Sequence, residues 1–523
     1  MTYVPALFNK FIGDDHLLIE HNVFYSSLKN VPRLFEQGVI AHTREFFSNS
    51  HDYGSGAVSY RPVLSLTYFI DYGLWGHKPF GFHLTNILIH VLNCVLLYTI
   101  LLLIFKSYSV SLLSAFLFGL HPLQTEAVAV IGYRADVLAA LFVLSSFYCW
   151  LKFREGNGPL HKYYGGALIM YFLAVFTKES SVMLPVVILC YDQLLVGAAK
   201  GLKARAAYYA GFVLILFFYL YIYIFVFPNS SLGNALPGAS SLAHFLTAVY
   251  IGYSYILSIL TPWAISLLPG EYCPPPPAIF SWDTFKMAVL FLILTCVFIK
   301  LWREFKPGAF FLLWFVIFYI PVSNLIPLAN PMAYRFMYLP SAGFLTVCAL
   351  GLYNAFSRDL FRRYSVHLAS MFYAATLLVC MLCTVFLIGS FKSDFDVAYS
   401  LIEHYPQASR GYAFMGQEYF IKGLYAPAAA YFEKAYFYGN SEPQLDLKLG
   451  ICYFHLRQWT KAKELLLKVV ALNPDFLEPY LYLWVLEPND PSIYAHLKKA
   501  YLYGHLSPQK TETLKKILFP GLK

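Results

Sequence analysis

Charge is scarce in this sequence. Asp, Glu, Lys and Arg make up 13% of its 523 residues, about half the share usual in soluble domains. So little charge over such a length excludes a string of soluble domains. No glycine-rich loop precedes a Lys-Ser or Lys-Thr pair, and neither HExxH nor GxSxG occurs. Nothing therefore points to an ATP-driven machine or a hydrolase of those types. The CxxC at Cys380-Met381-Leu382-Cys383 lies in an apolar run and has no second pair to complete a zinc site. Cys94, Cys149, Cys190 and Cys348 also sit in apolar runs and read as small packed hydrophobes.

What is abundant is apolar surface. Apolar residues make up 59% of the chain and the mean hydropathy is +0.55, an excess that needs lipid around it. Runs of spanning character lie near 83–105, 110–121, 134–151, 163–177, 181–197, 207–227, 284–302, 309–327, 337–356 and 366–390. Such a series reads as an all-α polytopic membrane bundle.

The net charge of +9 comes mainly from short clusters between apolar runs: Lys152 and Arg154, Lys200 to Arg205, Lys300 to Lys306, Arg358 to Arg363. Scattered like this it does not form a nucleic-acid footprint; it is the pattern of cytoplasmic loops. Residues 11–82, 122–133, 178–180, 228–283, 328–336 and everything after about 391 then face the other side. A full crossing at 245–266 would put one basic cluster on the wrong side. That segment, with Pro262 and Trp263, is expected to be re-entrant or interfacial. Residues 1–82 are expected to form the first extracytoplasmic loop, with Tyr3 to Phe11 the stump of a first spanning helix absent from this chain. Residues 83–390 form the bundle.

From 391 the pattern turns amphipathic. Met415, Gly416, Tyr419, Ala428, Phe432 and Ala435 recur 34 residues later as Leu449, Gly450, Tyr453, Ala462, Leu466 and Val469, and Pro474 closes the unit. Tyr412, answered by Asp446, breaks the match. A third, degenerate copy is signalled by Lys499-Ala500-Tyr501-Leu502-Tyr503-Gly504, which echoes Lys434 to Gly439. Period and residue types are those of a TPR α-solenoid over 391–523, either a helical cap or a groove for a protein partner.

The out-of-place polar residues fall on the outer side. Asp14 and Asp15 are paired carboxylates, suited to general-base work or a metal, or to a capped turn. His83, Asn86, His90 and Asn93 form one polar stripe on an apolar helix, facing a wet cavity or hydrogen-bonding between helices. His121, Glu126, Arg134 and Asp136 crowd a short loop, and Arg134 and Asp136, two apart, each need a partner elsewhere. Tyr334 and Arg335 precede another helix start. Arg61, Lys178 and Arg335, with Arg134, could bind an anionic head group together, although each alone reads as a snorkelling cation.

Phe11-Ile12-Gly13-Asp14-Asp15, Tyr60-Arg61-Pro62, Gly81-Phe82-His83-Leu84-Thr85-Asn86, His121-Pro122 with Glu126-Ala127-Val128, Arg134-Ala135-Asp136, Lys178-Glu179 and Tyr338-Leu339-Pro340-Ser341 stand in a telling order. It resembles that of the transmembrane and TPR-repeat-containing O-mannosyltransferases, over the whole chain. The resemblance implies a GT-C-like membrane glycosyltransferase that takes a sugar from a polyprenyl-phosphate carrier, with no cofactor certain and a divalent metal possible. It implies that Asp14 or Asp15 is the catalytic base. Arg61, His83, His121, Glu126, Arg134, Asp136, Lys178, Glu179, Tyr334 and Arg335 would bind the donor phosphate and sugar. It implies that the TPR domain presents an acceptor protein. The short repeat array suggests a bacterial homologue, in the inner membrane with its TPR domain in the periplasm. An O-antigen polymerase or ligase and a non-catalytic membrane scaffold are the competing readings.

Overall fold

The structure is a computed structural model. It describes residues 2–20, 22–35, 60–156, 160–197, 202–226, 241–267, 281–326, 328, 330–357, 365–439, 443–472, 474, 476–488, 490–503, 512 and 514–515. Lys200, Arg358 to Arg363, Gly504, 228–240 and 268–280 lie outside these residues. The described residues divide into two compact units, the first up to Lys392 and the second from Ser393 onward.

Among its described residues, the regular elements of the first unit are helices. Its helices are α1 (Pro62–Trp75), α2 (Pro79–Phe105), α3 (Tyr108–Leu120), α4 (Thr125–Ala129), α5 (Arg134–Glu155), α6 (Leu160–Val175), α7 (Leu184–Tyr191), α8 (Leu202–Tyr221), α9 (Ser241–Leu260), α10 (Trp282–Glu304), α11 (Lys306–Tyr319), α12 (Tyr338–Ser357) and α13 (Ser365–Ser390). Seven helical segments among the described residues are long and apolar enough to cross a membrane: Pro79–Phe105, Ile131–Glu155, Glu179–Val196, Ala206–Val226, Trp282–Glu304, Tyr334–Ala355 and His367–Ser390. α2 shows why such segments hold. Pro79 stands in its first turn, where no amide donor is needed, and no proline interrupts the apolar run. Its 27 residues reach about 40 Å, enough for a hydrocarbon core of roughly 30 Å.

Three runs expected to span are shorter. α3 has 13 residues, α6 16 and α11 14, or about 20–24 Å of helix. α9 ends at Leu260, two residues before Pro262, which opens a 3₁₀ turn. The expected first loop contains α1, whose Leu64, Tyr68 and Phe69 are buried while Ile70 and Leu74 are exposed. Val4–Phe8 forms a 3₁₀ turn with Ala6 buried.

The core of this unit is aromatic. Phe147 of α5 stacks on Phe310 of α11 at 5.8 Å and meets Trp314 edge-on at 5.3 Å. Trp150 and Trp314 are fully buried.

The second unit contains α14 (Asp394–His404), α15 (Ser409–Ile421), α16 (Tyr425–Phe437), α17 (Pro443–His455), α18 (Trp459–Leu472), α19 (Leu477–Leu486) and α20 (Pro491–Tyr503). α15 pairs with α16, α17 with α18 and α19 with α20. Ser409, Pro443 and Leu477 open the first helix of each hairpin at 34-residue steps. Gly416 is required where α15 crosses α16, since a Cβ there would fall 2.5 Å from the Phe432 ring. The break at Asp446 has a physical account. Tyr412 and Tyr480 each donate to a proline carbonyl six residues back, at 2.9 and 3.1 Å. Between them in register, the buried Asp446 takes Lys468 at 2.7 Å instead.

Candidate functional site

One end of the bundle gathers the charged residues. Arg61 precedes α1, Glu126 lies in α4, Asp136 in the first turn of α5, Lys178 and Glu179 in the turn after α6, and Arg335 in the 3₁₀ turn before α12. The elements begin here for local reasons: Pro62 starts α1, and the peptide planes around Lys178 break the helix before Glu179.

Each cation has an anion. The Arg61 guanidinium forks onto Glu179, at 2.8 Å to Oε2 and 3.1 Å to Oε1 from Nη2, with Nε 3.3 Å from Oε1. Lys178 pairs with Asp136. Glu126 holds Arg335 with both oxygens, one on the guanidinium and one on the backbone amide at 3.0 Å. The same guanidinium lies over Tyr133 at 3.9 Å and Phe336 at 5.0 Å. The Arg61 side chain is 18% exposed, and those of Lys178 and Arg335 9% each.

Arg134 lies apart from these pairs, wholly buried. It bonds Asn86 Oδ1 at 2.6 Å, Thr67 Oγ1 at 3.1 Å, the Phe82 carbonyl at 3.0 Å and Asp71 at 2.5 Å, and it caps the Tyr68 ring at 4.8 Å. All its guanidinium nitrogens are engaged in joining α1, α2 and α5. Asp71 is a residue the sequence reading passed over; a carboxylate inside the apolar run 62–75 was its signal.

The two N-terminal carboxylates separate. Asp14 is exposed and Asp15 fully buried. Asp15 accepts from the Gly132 amide at 2.6 Å and the Ile12 amide at 3.2 Å, tying this turn to the loop before α5. Gly132 is required there: a Cβ would fall 2.9 Å from Asp15 Oδ1 and 3.2 Å from Leu18. Burial pushes the Asp15 carboxyl up to about 7, against the pull of the two amide donors.

The histidines and the polar stripe are enclosed. His121 Nε2 faces the Ile259 carbonyl at 3.0 Å, and its Nδ1 accepts from the Leu123 amide at 3.2 Å. His83 is fully buried beside the backbone of Asn9 and Lys10. His90 meets Tyr338 at 2.6 Å and Asn93 donates to the Val137 carbonyl at 2.8 Å. Tyr334 is buried at the head of the turn that carries Arg335. Among the described residues, no group of three or more His, Cys, Asp or Glu stands ready to hold a metal.

No protein-family profile matches the chain, and no solved structure does. The chain is 24% identical over 378 residues to protein O-mannosyl-transferase F38B6.6 of Caenorhabditis elegans, covering 70% of this chain and 50% of that protein. It is 27% identical over 368 residues to protein O-mannosyl-transferase TMTC1 of Homo sapiens, covering 59% and 40%. It is 26% identical over 445 residues to protein O-mannosyl-transferase TMTC4 of Mus musculus, covering 74% and 59%. The chain spans about half the length of these relatives. It is thus a multi-helix chain of membrane-spanning character, similar over much of its length to proteins named protein O-mannosyl-transferases.

Proposed function

We propose that this chain is a membrane glycosyltransferase of the protein O-mannosyltransferase family. It moves a mannose-like sugar from a polyprenyl-phosphate carrier to a Ser or Thr hydroxyl of a protein, on the extracytoplasmic side. The observation that carries the reading is the convergence of Arg61, Lys178 and Arg335 at the bundle end to which Asp15 ties the Asp14 turn. The similarity to named O-mannosyltransferases supports it.

In this mechanism Asp14, the exposed carboxylate of the pair, takes the acceptor hydroxyl proton. A hydroxyl is a poor nucleophile at neutral pH, so a positioned base is needed. The oxygen attacks the anomeric carbon and the bond from that carbon to the phosphate oxygen breaks. The lipid phosphate leaves with the electron pair, and Lys178, Arg61 and Arg335 offset its charge. Asp15 and Arg134 hold the loops rather than touch substrate. Glu126 and Glu179 orient the cations, and His83, His121 and Tyr334 support the walls. The 34-residue hairpins of the second unit present the acceptor.

The test is transfer of labelled mannose from polyprenyl-phosphate mannose to an acceptor protein by the full chain in liposomes. Asp14→Asn is expected to lower transfer about 10²–10⁴-fold while the fold is retained. Transfer that survives Asp14→Asn and Asp15→Asn alike would overturn the assignment.

A further inference from the structure

The three ion pairs of the site are not equivalent. Glu126 grips Arg335 through two separate donors, and the guanidinium is held on Tyr133. Glu179 receives a three-contact fork from Arg61. Lys178 meets one oxygen of Asp136 with a single ammonium, a point charge on a flexible stem that can be re-aimed. Both side chains of that pair are about nine-tenths buried.

This weakest-held pair also lines a small crevice. Lys178, Asp136 and Ser180 form its polar part, and Ala139, Phe318 and Leu339 its apolar wall. The crevice has room for about one water, so it marks where Lys178 can be reached and is not a chamber for the ligand; the anionic head and apolar chain of a lipid phosphate match its polar and apolar parts. Asp136 opposes such a head. Arg61, Lys178 and Arg335 are balanced by Glu179, Asp136 and Glu126, so an arriving phosphate turns the cluster net negative. Arg61 and Arg335 also feel the Asp136 charge, so Asp136 is not stranded without a cation when Lys178 turns away.

We infer that Asp136 is a displaceable counter-ion: an anionic lipid head group takes Lys178 from it, and its return to Lys178 expels the spent carrier phosphate. Asp136 is then a positioning residue that works through Lys178. The inference rests on the donor-phosphate reading but makes a prediction of opposite sign to a sugar-binding or scaffolding role. A group that binds or supports substrate weakens binding when removed; a competing charge strengthens it. Two unit charges about 4 Å apart repel strongly enough at a protein surface for an effect of ~10-fold.

The experiment measures binding of farnesyl phosphate, a short polyprenyl phosphate, to the full chain in nanodiscs, with farnesol as the uncharged control. Asp136→Asn is expected to bind farnesyl phosphate ~10-fold more tightly, with farnesol unchanged. Asp136→Glu restores wild-type affinity and Lys178→Ala weakens binding. In the transfer assay, Asp136→Asn lowers the donor KM and, by slowing release, also kcat. Should Asp136→Asn not fold, Asp136→Ser carries the same expectation. Weaker or equal binding by the Asp136 variant, with Lys178→Ala still weakened, overturns the exchange and leaves the donor-phosphate reading standing. Farnesyl phosphate binding indifferent to Lys178→Ala overturns both.

Discussion

Asp15 holds two loops together with a carboxylate that has almost no contact with water. Its folded carboxyl is raised to about 7 from 3.8, so the neutral form fits the folded site better. The stability this contributes is present below pH ~4 and is lost as pH rises through ~7, on the order of 2–4 kcal/mol over that window. Thermal unfolding from pH 5 to 8 is expected to show this decline in the wild type and a flatter curve in Asp15→Asn. Gly132→Ala, which crowds the same carboxylate, is expected to cost about 1–3 kcal/mol. From sequence alone the Asp14-Asp15 pair stands out, but which carboxylate is buried does not, because Gly132 is 117 positions from Asp15. The stripe His83, Asn86, His90 and Asn93 is likewise visible as a helical face. Its partners, such as Tyr338 for His90, come from 248 residues away, and helical spacing carries no such information.

At the scale of elements, α1 explains Arg134. The sequence requires that Arg134 find a partner off its own helix, and α1 supplies it through Asp71 and Thr67. α1 itself hides in the sequence because its 14 residues are too few for a membrane signal and sit in a stretch read as loop. Arg134→Ala strands a buried carboxylate and is expected to cost about 3–5 kcal/mol. Arg134→Lys is expected to recover only part, since one ammonium cannot serve four partners in a plane. Thermal unfolding in detergent measures both. If Arg134→Ala abolishes transfer at unchanged stability, Arg134 touches substrate instead. The apolar runs 110–121 and 163–177 place α3 and α6 closely, whereas the run 309–327 continues past the end of α11, where the helix gives way at Ile320 to a 3₁₀ turn. The 34-residue hairpins were readable because helix crossings demand small residues, as at Gly416.

Among the described residues of the first unit, charge lies mostly near the ends of helices, Asp71 inside α1 being an exception. α5 shows the plan: Arg134 and Asp136 open it, and at its far end Arg154 and Trp150 meet the buried Asp192 at 3.2 and 3.3 Å. Tyr209 of α8 closes that second cluster at 2.6 Å. The first end combines cations and an exposed carboxylate with a crevice that has an apolar wall. In the proposed function, this end transfers a lipid-borne sugar to protein. The most direct test of that function is glycoproteomics of the host with the gene deleted, then restored as wild type or as Asp14→Asn. Hexose on Ser or Thr of extracytoplasmic proteins is expected to vanish on deletion and to return with the wild type but not with Asp14→Asn. Unchanged glycopeptides on deletion, or full recovery with Asp14→Asn, would contradict the account.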